Sequence, residues 1–199
     1  MGRVESDLQY TDARVTRIKF ERELSSFKLL QPDWRSRGVF MIREEFPQLE
    51  FIFTAHKLSP PSIVFCVRID FTNYDTEPLS IRFIDPYSGI RLTRKQVPIN
   101  FWQINVPPDF QPGTPLAPLD LLQGRPDDYP FICIRGVREY HSHPAHSGDS
   151  WFLYRTKGEG TLGFILDQLY NFSIDILQNY NIDFQFLIKY AQMPKVRIN

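Results

Sequence analysis

An α+β fold is the class this sequence predicts, and three observations carry it. Helical patterns stand near both ends, around residues 11–31 and 161–177. Between them lie four runs rich in Val, Ile and Phe: GVFMIRE, LEFIFTA, SIVFCVRIDFT and LSIRFID. The runs follow one another with turn residues between them, so they predict neighbouring antiparallel strands and not a helix-wrapped parallel sheet.

Each element follows from its residues. In the first helix Val15, Ile18, Phe20, Leu24, Phe27 and Leu30 recur close to helical spacing; Thr11 or Asp12 caps its start and Pro32 ends it. The last two strand runs flank NYDTEP, whose Asn, Asp and Pro suit a hairpin turn. Residues Gln96–Pro130 hold eight of the chain's 16 prolines and predict a long ordered loop, anchored by Phe101, Trp102, Phe110, Leu116 and Leu119. A strand from Phe131 to about Tyr140 comes next, then a His-rich loop, a short strand WFLYR and the turn TKGEG. Thr161 caps a second helix with Leu162, Ile165, Leu166, Leu169, Phe172, Ile176 and Leu177 on one stripe. The final run IDFQFLIKY alternates as a strand does, with a helix as the other option.

Composition narrows the function classes. One domain spanning residues 1–199 is expected at this length, with 42% hydrophobic residues to fill its core. Formal net charge is zero and no basic stripe is visible, which speaks against nucleic acid or an anionic membrane as partner. Cys66 and Cys133 sit in separate apolar runs, so no disulfide framework is indicated. No apolar stretch approaches the roughly 20 residues that span a bilayer, and the N-terminus lacks a signal-like core. The expected compartment is the cytoplasm.

Chemistry concentrates in Tyr129–Gly148, YPFICIRGVREYHSHPAHSG, where His141, His143 and His146 gather three of the four histidines. Imidazole is the commonest protein metal ligand. On extended backbone an H-x-H pair leaves one face about 6–7 Å apart, close enough to converge on one ion. Glu139 would share that face, either as a ligand or as a solvated strand residue. Asp149 would complete the set with the three histidines or simply form a turn. Cys133 lies six residues before Glu139, about 20 Å away on a straight strand. It therefore joins only if the chain bends sharply at Gly136, and otherwise reads as a small buried hydrophobe between Ile132 and Ile134. Cys66, between Phe65 and Val67, reads as core.

The run PDDYPF (Pro126–Phe131), then Val137, Tyr140, His143–Pro144 and Gly148, resembles the core of the ubiquitin-conjugating (E2) fold. In that family a P-x-D-Y-P-F segment leads into a strand, an H-P-N tripeptide and a glycine shortly before the catalytic cysteine. The helix after Gly160 falls where that family keeps its long helix. The resemblance covers Pro126 to Leu177. It implies an N-terminal helix, an antiparallel β-meander, the His-rich loop and a later helix packed on the sheet. Ala145 replaces the family's oxyanion-stabilising Asn, and the loop beyond it carries no thiol; Ser150 would be a weak substitute. Conventional thioester transfer is not expected.

The same stretch resembles a metal-binding family of bacterial ubiquitin-like operons marked by a Cys-Glu-His-His set. Cys133, Glu139, His141 and His143 or His146 supply those residue types in that order. The resemblance implies zinc or another divalent transition metal. Its implied partners are a ubiquitin-like protein and the E1-, E2- and JAB-like proteins of the same operon. A non-thioester, zinc-binding accessory protein is therefore the expected function. The alternative is a metal-dependent hydrolase: HSHP matches the opening of the JAB-type isopeptidases, although Trp151 and Tyr154 stand where their Ser and Asp belong. HSHPAH also approaches the H-x-H-x-D-H of metallo-β-lactamase-like hydrolases, with Ala145 in place of Asp and no further histidine downstream.

Overall fold

Four antiparallel strands form the centre of the protein in the order β1 (Val39–Glu45), β2 (Gln48–Thr54), β3 (Ile63–Asp70) and β4 (Ser80–Ile84), each paired with its sequence neighbour. This is a computed structural model, and it describes residues 8–104, 111 and 116–179. Period-two alternation sets the register. Leu49, Phe51 and Phe53 of β2 share one buried face with Phe65, Val67 and Ile69 of β3, and all join one apolar core. The other face carries a polar row in which Arg68 pairs with Glu50 at 2.8 Å and Gln48 donates to Asp70 at 2.8 Å.

Helix α1 (Ala13–Leu29) covers the apolar face. Asp12 caps it by accepting from the Arg14 N–H at 2.8 Å. Phe20, Leu24 and Phe27 point inward, and Phe27 meets Phe51 edge-on at 5.2 Å. The expected stripe is partly corrected: Val15 is 43% and Ile18 66% exposed, while Thr16 and Glu23 are buried in their stead. The helix ends at Leu29, just short of Pro32 as expected, but Pro32 opens a second helix. It occupies the first turn of α2 (Gln31–Ser36), where a missing N–H costs nothing.

The proline-rich stretch is less bare than a plain loop. It contributes β5 (Trp102–Ile104) paired with β6 (Pro118–Asp120), and β7 (Leu122–Gln123) paired with β8 (Phe131–Ile132). Phe101 is fully buried as its anchor, whereas Trp102 and Leu119 are exposed. Phe110 lies outside the described residues.

The expected strand from Phe131 to Tyr140 is cut to its first two residues, β8. After β8 the chain reverses through Ile134–Val137 and enters α3 (Arg138–Ser142). Gly136 permits the reversal, because a Cβ there would stand 1.8 Å from the carbonyl oxygen of Glu159. The run WFLYR is likewise not a strand: Trp151–Leu153 form a 3-10 turn. Helix α4 (Leu162–Leu169) starts at Thr161, whose hydroxyl accepts from the Phe164 N–H, and continues into a π-helical turn, Tyr170–Ile174. Leu162, Ile165, Leu166 and Leu169 are buried against α1 and the sheet, while Ile176 is outside. Glu23 of α1 also receives the Leu162 N–H at 3.1 Å, which ties the two helices together. The run IDFQFLIKY lies outside the described residues. No described helix is long and apolar enough to cross a membrane.

Candidate metal centre on the histidine loop

The loop is built on the free edge of β4. Val137 bridges to Leu79, and the Arg138 N–H donates to the Leu79 carbonyl at 2.9 Å. Glu139 completes this seam: its carboxylate receives the Ile81 N–H at 3.3 Å and the Ser80 hydroxyl. The residue keeps some surface, but its carboxyl group is enclosed. Burial pushes that carboxyl above the usual carboxylate range, against the pull of Ser80, the Ile81 N–H and the Arg138 charge. Glu139 therefore faces β4 and not the histidines.

The histidines do not leave one face of a strand, because their backbone is not extended as a strand. His141 belongs to α3, His143 ends it, and His146 closes the 3-10 turn Pro144–His146. The His143 Nδ1 accepts from the Ala145 N–H at 3.3 Å, so the neutral ring carries its proton on Nε2 and has to give up this bond before that nitrogen can offer a lone pair. The His146 ring stacks on Tyr140 at 3.9 Å and 22° between planes. That stacking presents the His146 Nε2 to the Cys133 sulfur, 3.4 Å away. The ring centres of His143 and His146 are 5.9 Å apart.

Cys133 thus has a role that strand spacing hides. The turn after β8 brings it under His146, and it is half-buried, not sealed in the core as Cys66 is. Burial raises the Cys133 thiol above its ordinary value, so without a metal the proton is held more tightly. Cys66, fully buried in β3, is pushed up to about 12, as its core position requires.

Asp149 is engaged elsewhere. It accepts from the Tyr140 hydroxyl at 2.6 Å and from the Tyr154 hydroxyl, with the Arg135 guanidinium at 3.9 Å. These hydroxyls hold its carboxyl below the usual range, with smaller help from the charges of Arg135 and His141. Tyr140 rises to about 12, through burial first and then its bond to Asp149. His141 has both ring nitrogens on backbone carbonyls, Nδ1 on Asp149 at 2.7 Å and Nε2 on Arg135.

The six candidates therefore separate into three places. Cys133 and His146 lie together, with the ring of His143 centred 5.9 Å from that of His146, His141 bonds the Asp149 backbone carbonyl, and Glu139 lies on β4. Among the described residues no set of three or more His, Cys, Asp or Glu is drawn together to enclose a metal ion as it stands. Even so, the donor chemistry of the first group fits zinc. Ligands at about 2.3 Å (sulfur) and about 2.05 Å (nitrogen) on one tetrahedral zinc stand about 3.5 Å from each other, against the 3.4 Å observed. Two imidazoles on such an ion have ring centres roughly 5 Å apart, so exposed His143 has to close by about 1 Å.

Sequence reasoning missed Tyr140, the stacking platform for His146 and a partner of Asp149. It left Glu139 between a ligand and a solvated strand residue, and did not place its carboxylate on β4. Gly136 was the available signal for both, as the one residue in the run able to admit the reversal. The positions that a JAB-type site needs are occupied otherwise: Trp151 is buried, with its indole N–H on the Asp75 carbonyl, and Tyr154 bonds Asp149.

Comparison with known proteins identifies relatives without a stated activity. The uncharacterized protein y4jH of Sinorhizobium fredii (strain NBRC 101917 / NGR234) is 40% identical over 201 residues, which cover 94% of this chain and 96% of the relative. The Y4jH family model matches residues 11–177, from the start of α1 past the π-helical turn and including the whole histidine loop. The chain belongs to the Y4jH-like family.

Proposed function

We propose that this protein is an accessory protein of E2-like architecture in a bacterial ubiquitin-like modification system, unable to form a thioester. It holds a divalent metal, zinc first, through Cys133 and His146, with His143 as third ligand. The 3.4 Å approach of the Cys133 sulfur to the His146 Nε2 carries this reading. The order helix, four-stranded meander, PDDYPF, His-Pro loop and later helix supports the architecture. Of the two cysteines, Cys66 is sealed in β3 and Cys133 precedes the His-Pro pair, so neither stands on the loop where a conjugating enzyme carries its thiol.

When bound, the metal supplies a crosslink between the turn after β8 and the loop after α3. Cys133 would bind as thiolate and His146 as a neutral ring, and His143 would join as a neutral ring once its Nδ1 gives up the Ala145 N–H. The binding face for a ubiquitin-like, E1-like or E2-like partner is assigned to α1, where Val15 and Ile18 are exposed beside Arg14 and Arg22. Three protein ligands leave a position open, as in a hydrolase. A hydrolase also needs a base there, and the two carboxylates nearby are committed, Glu139 to β4 and Asp149 to two tyrosines. Recruitment is the better-supported role.

Elemental analysis of protein purified without a His tag tests the metal. About one zinc per chain is expected, lost in Cys133→Ala and His146→Ala and kept in Glu139→Gln and Asp149→Asn. A wild type as metal-free as those Ala variants would defeat the reading. Incubation with the neighbouring E1-like protein and ATP should give no adduct sensitive to reducing agent.

A further inference from the structure

His141 has the sequence credentials of a ligand and the surroundings of something else. Both of its ring nitrogens face backbone carbonyl oxygens, Asp149 at 2.7 Å from Nδ1 and Arg135 at Nε2. Carbonyls only accept, so whichever nitrogen bears a proton donates it to one of them. The other nitrogen has a carbonyl in the direction from which a metal would have to approach. The ring is further boxed by Tyr140 at 5.0 Å, Trp151 at 5.9 Å and Tyr154 at 6.1 Å.

The two carbonyls that His141 joins belong to segments flanking the candidate ligands. Arg135 follows Cys133 by two residues in the reversal after β8. Asp149 follows His146 by three, and its N–H donates to the His146 carbonyl at 2.9 Å. Joining Arg135 to Asp149 therefore fixes the separation of Cys133 and His146 at one remove. Tyr140 acts on the same span, bonding Asp149 through its hydroxyl while its ring supports His146.

We infer that His141 is a positioning residue and not a ligand: it clamps the Arg135 turn to the Asp149 turn and so holds Cys133 against His146. The metal consequence rests on the proposed Cys133–His146 site; the clamp itself does not.

The experiment has two arms on the full chain, comparing wild type with His141→Ala and His141→Gln. Far-UV circular dichroism and thermal unfolding select the folded variants. If His141→Ala does not fold, His141→Gln, which keeps an N–H donor, carries the comparison. In the metal-free arm, iodoacetamide alkylation reads Cys133, since Cys66 is sealed in the sheet. Loss of the clamp should speed alkylation roughly tenfold through local opening, with His141→Gln restoring part of the protection. In the second arm cobalt(II) replaces zinc. His141→Ala should weaken cobalt binding by roughly 10-fold or more, yet at saturation show the wild-type thiolate-to-cobalt and d–d bands. His146→Ala should alter those bands. Alkylation within twofold of wild type, or saturated His141→Ala bands displaced as in His146→Ala, overturns the clamp. A wild type with no thiolate-to-cobalt band removes the metal reading alone, and the alkylation arm still decides the clamp.

Discussion

Glu139 and His143 stand four residues apart, yet one faces the sheet edge and the other faces solvent. The difference is a hydrogen-bonding account. The free edge of β4 offers the Ile81 N–H and the Ser80 hydroxyl, and a carboxylate is the acceptor that satisfies both. Enclosing that carboxylate raises its pKa, chiefly through lost hydration. The sign of the pH effect follows. A carboxyl whose folded pKa exceeds its unfolded value, about 4.3, contributes fully below that value and loses the contribution as pH rises through the folded one. Glu139→Gln removes the ionisation, keeps an acceptor oxygen for the Ile81 N–H and turns its amide NH2 to the Ser80 hydroxyl oxygen. The variant should match wild type in thermal midpoint near pH 4 and exceed it at pH 7. Thermal melts at the two pH values check this. A variant less stable at pH 7 than at pH 4, relative to wild type, would mean that the Arg138 attraction outweighs burial.

At the scale of elements, the reversal after β8 decides the site. FICIRGV has the apolar alternation of a strand, and local pattern alone extends it to Tyr140. What ends the strand is tertiary: Glu159 and Gly160 run against Gly136 so closely that only a residue without Cβ fits. Gly136→Ala should therefore cost about 3 kcal/mol or more and release Cys133 from His146. Gly148→Ala, where a Cβ would meet nothing within 4 Å, should stay within about 0.5 kcal/mol of wild type. Urea denaturation of the pair is the check, and equal stabilities would deny the close approach its role. The same contrast explains what was legible. The four sheet strands and the cap of α4 follow from period and capping residues, signals carried within each segment. In α1 the apolar residues are helical in spacing, but which of them turn inward depends on α4. Buried Glu23 serves the Leu162 N–H, while Val15 and Ile18 remain outside. The meeting of Cys133 with His146 depends on the Gly136 reversal and on Tyr140 as platform, neither of which has a periodic signature.

For the whole molecule, the matched family span, residues 11–177, contains every core residue among those described, from Phe20 to Ile174. The sheet and the two long helices form the support, and the histidine loop is attached to it at several points, among them the Leu79–Val137 bridge, the Glu139 carboxylate on β4 and the Trp151 indole on the Asp75 carbonyl. A loop pinned this way would present the proposed ligands from a rigid edge. X-ray absorption at the zinc edge of metal-replete, untagged protein measures the central claim most directly. The account predicts a first shell with one sulfur at about 2.3 Å and imidazole nitrogens at about 2.0–2.1 Å, the sulfur vanishing in Cys133→Ala. A shell of nitrogen and oxygen alone, unchanged in Cys133→Ala, would contradict it.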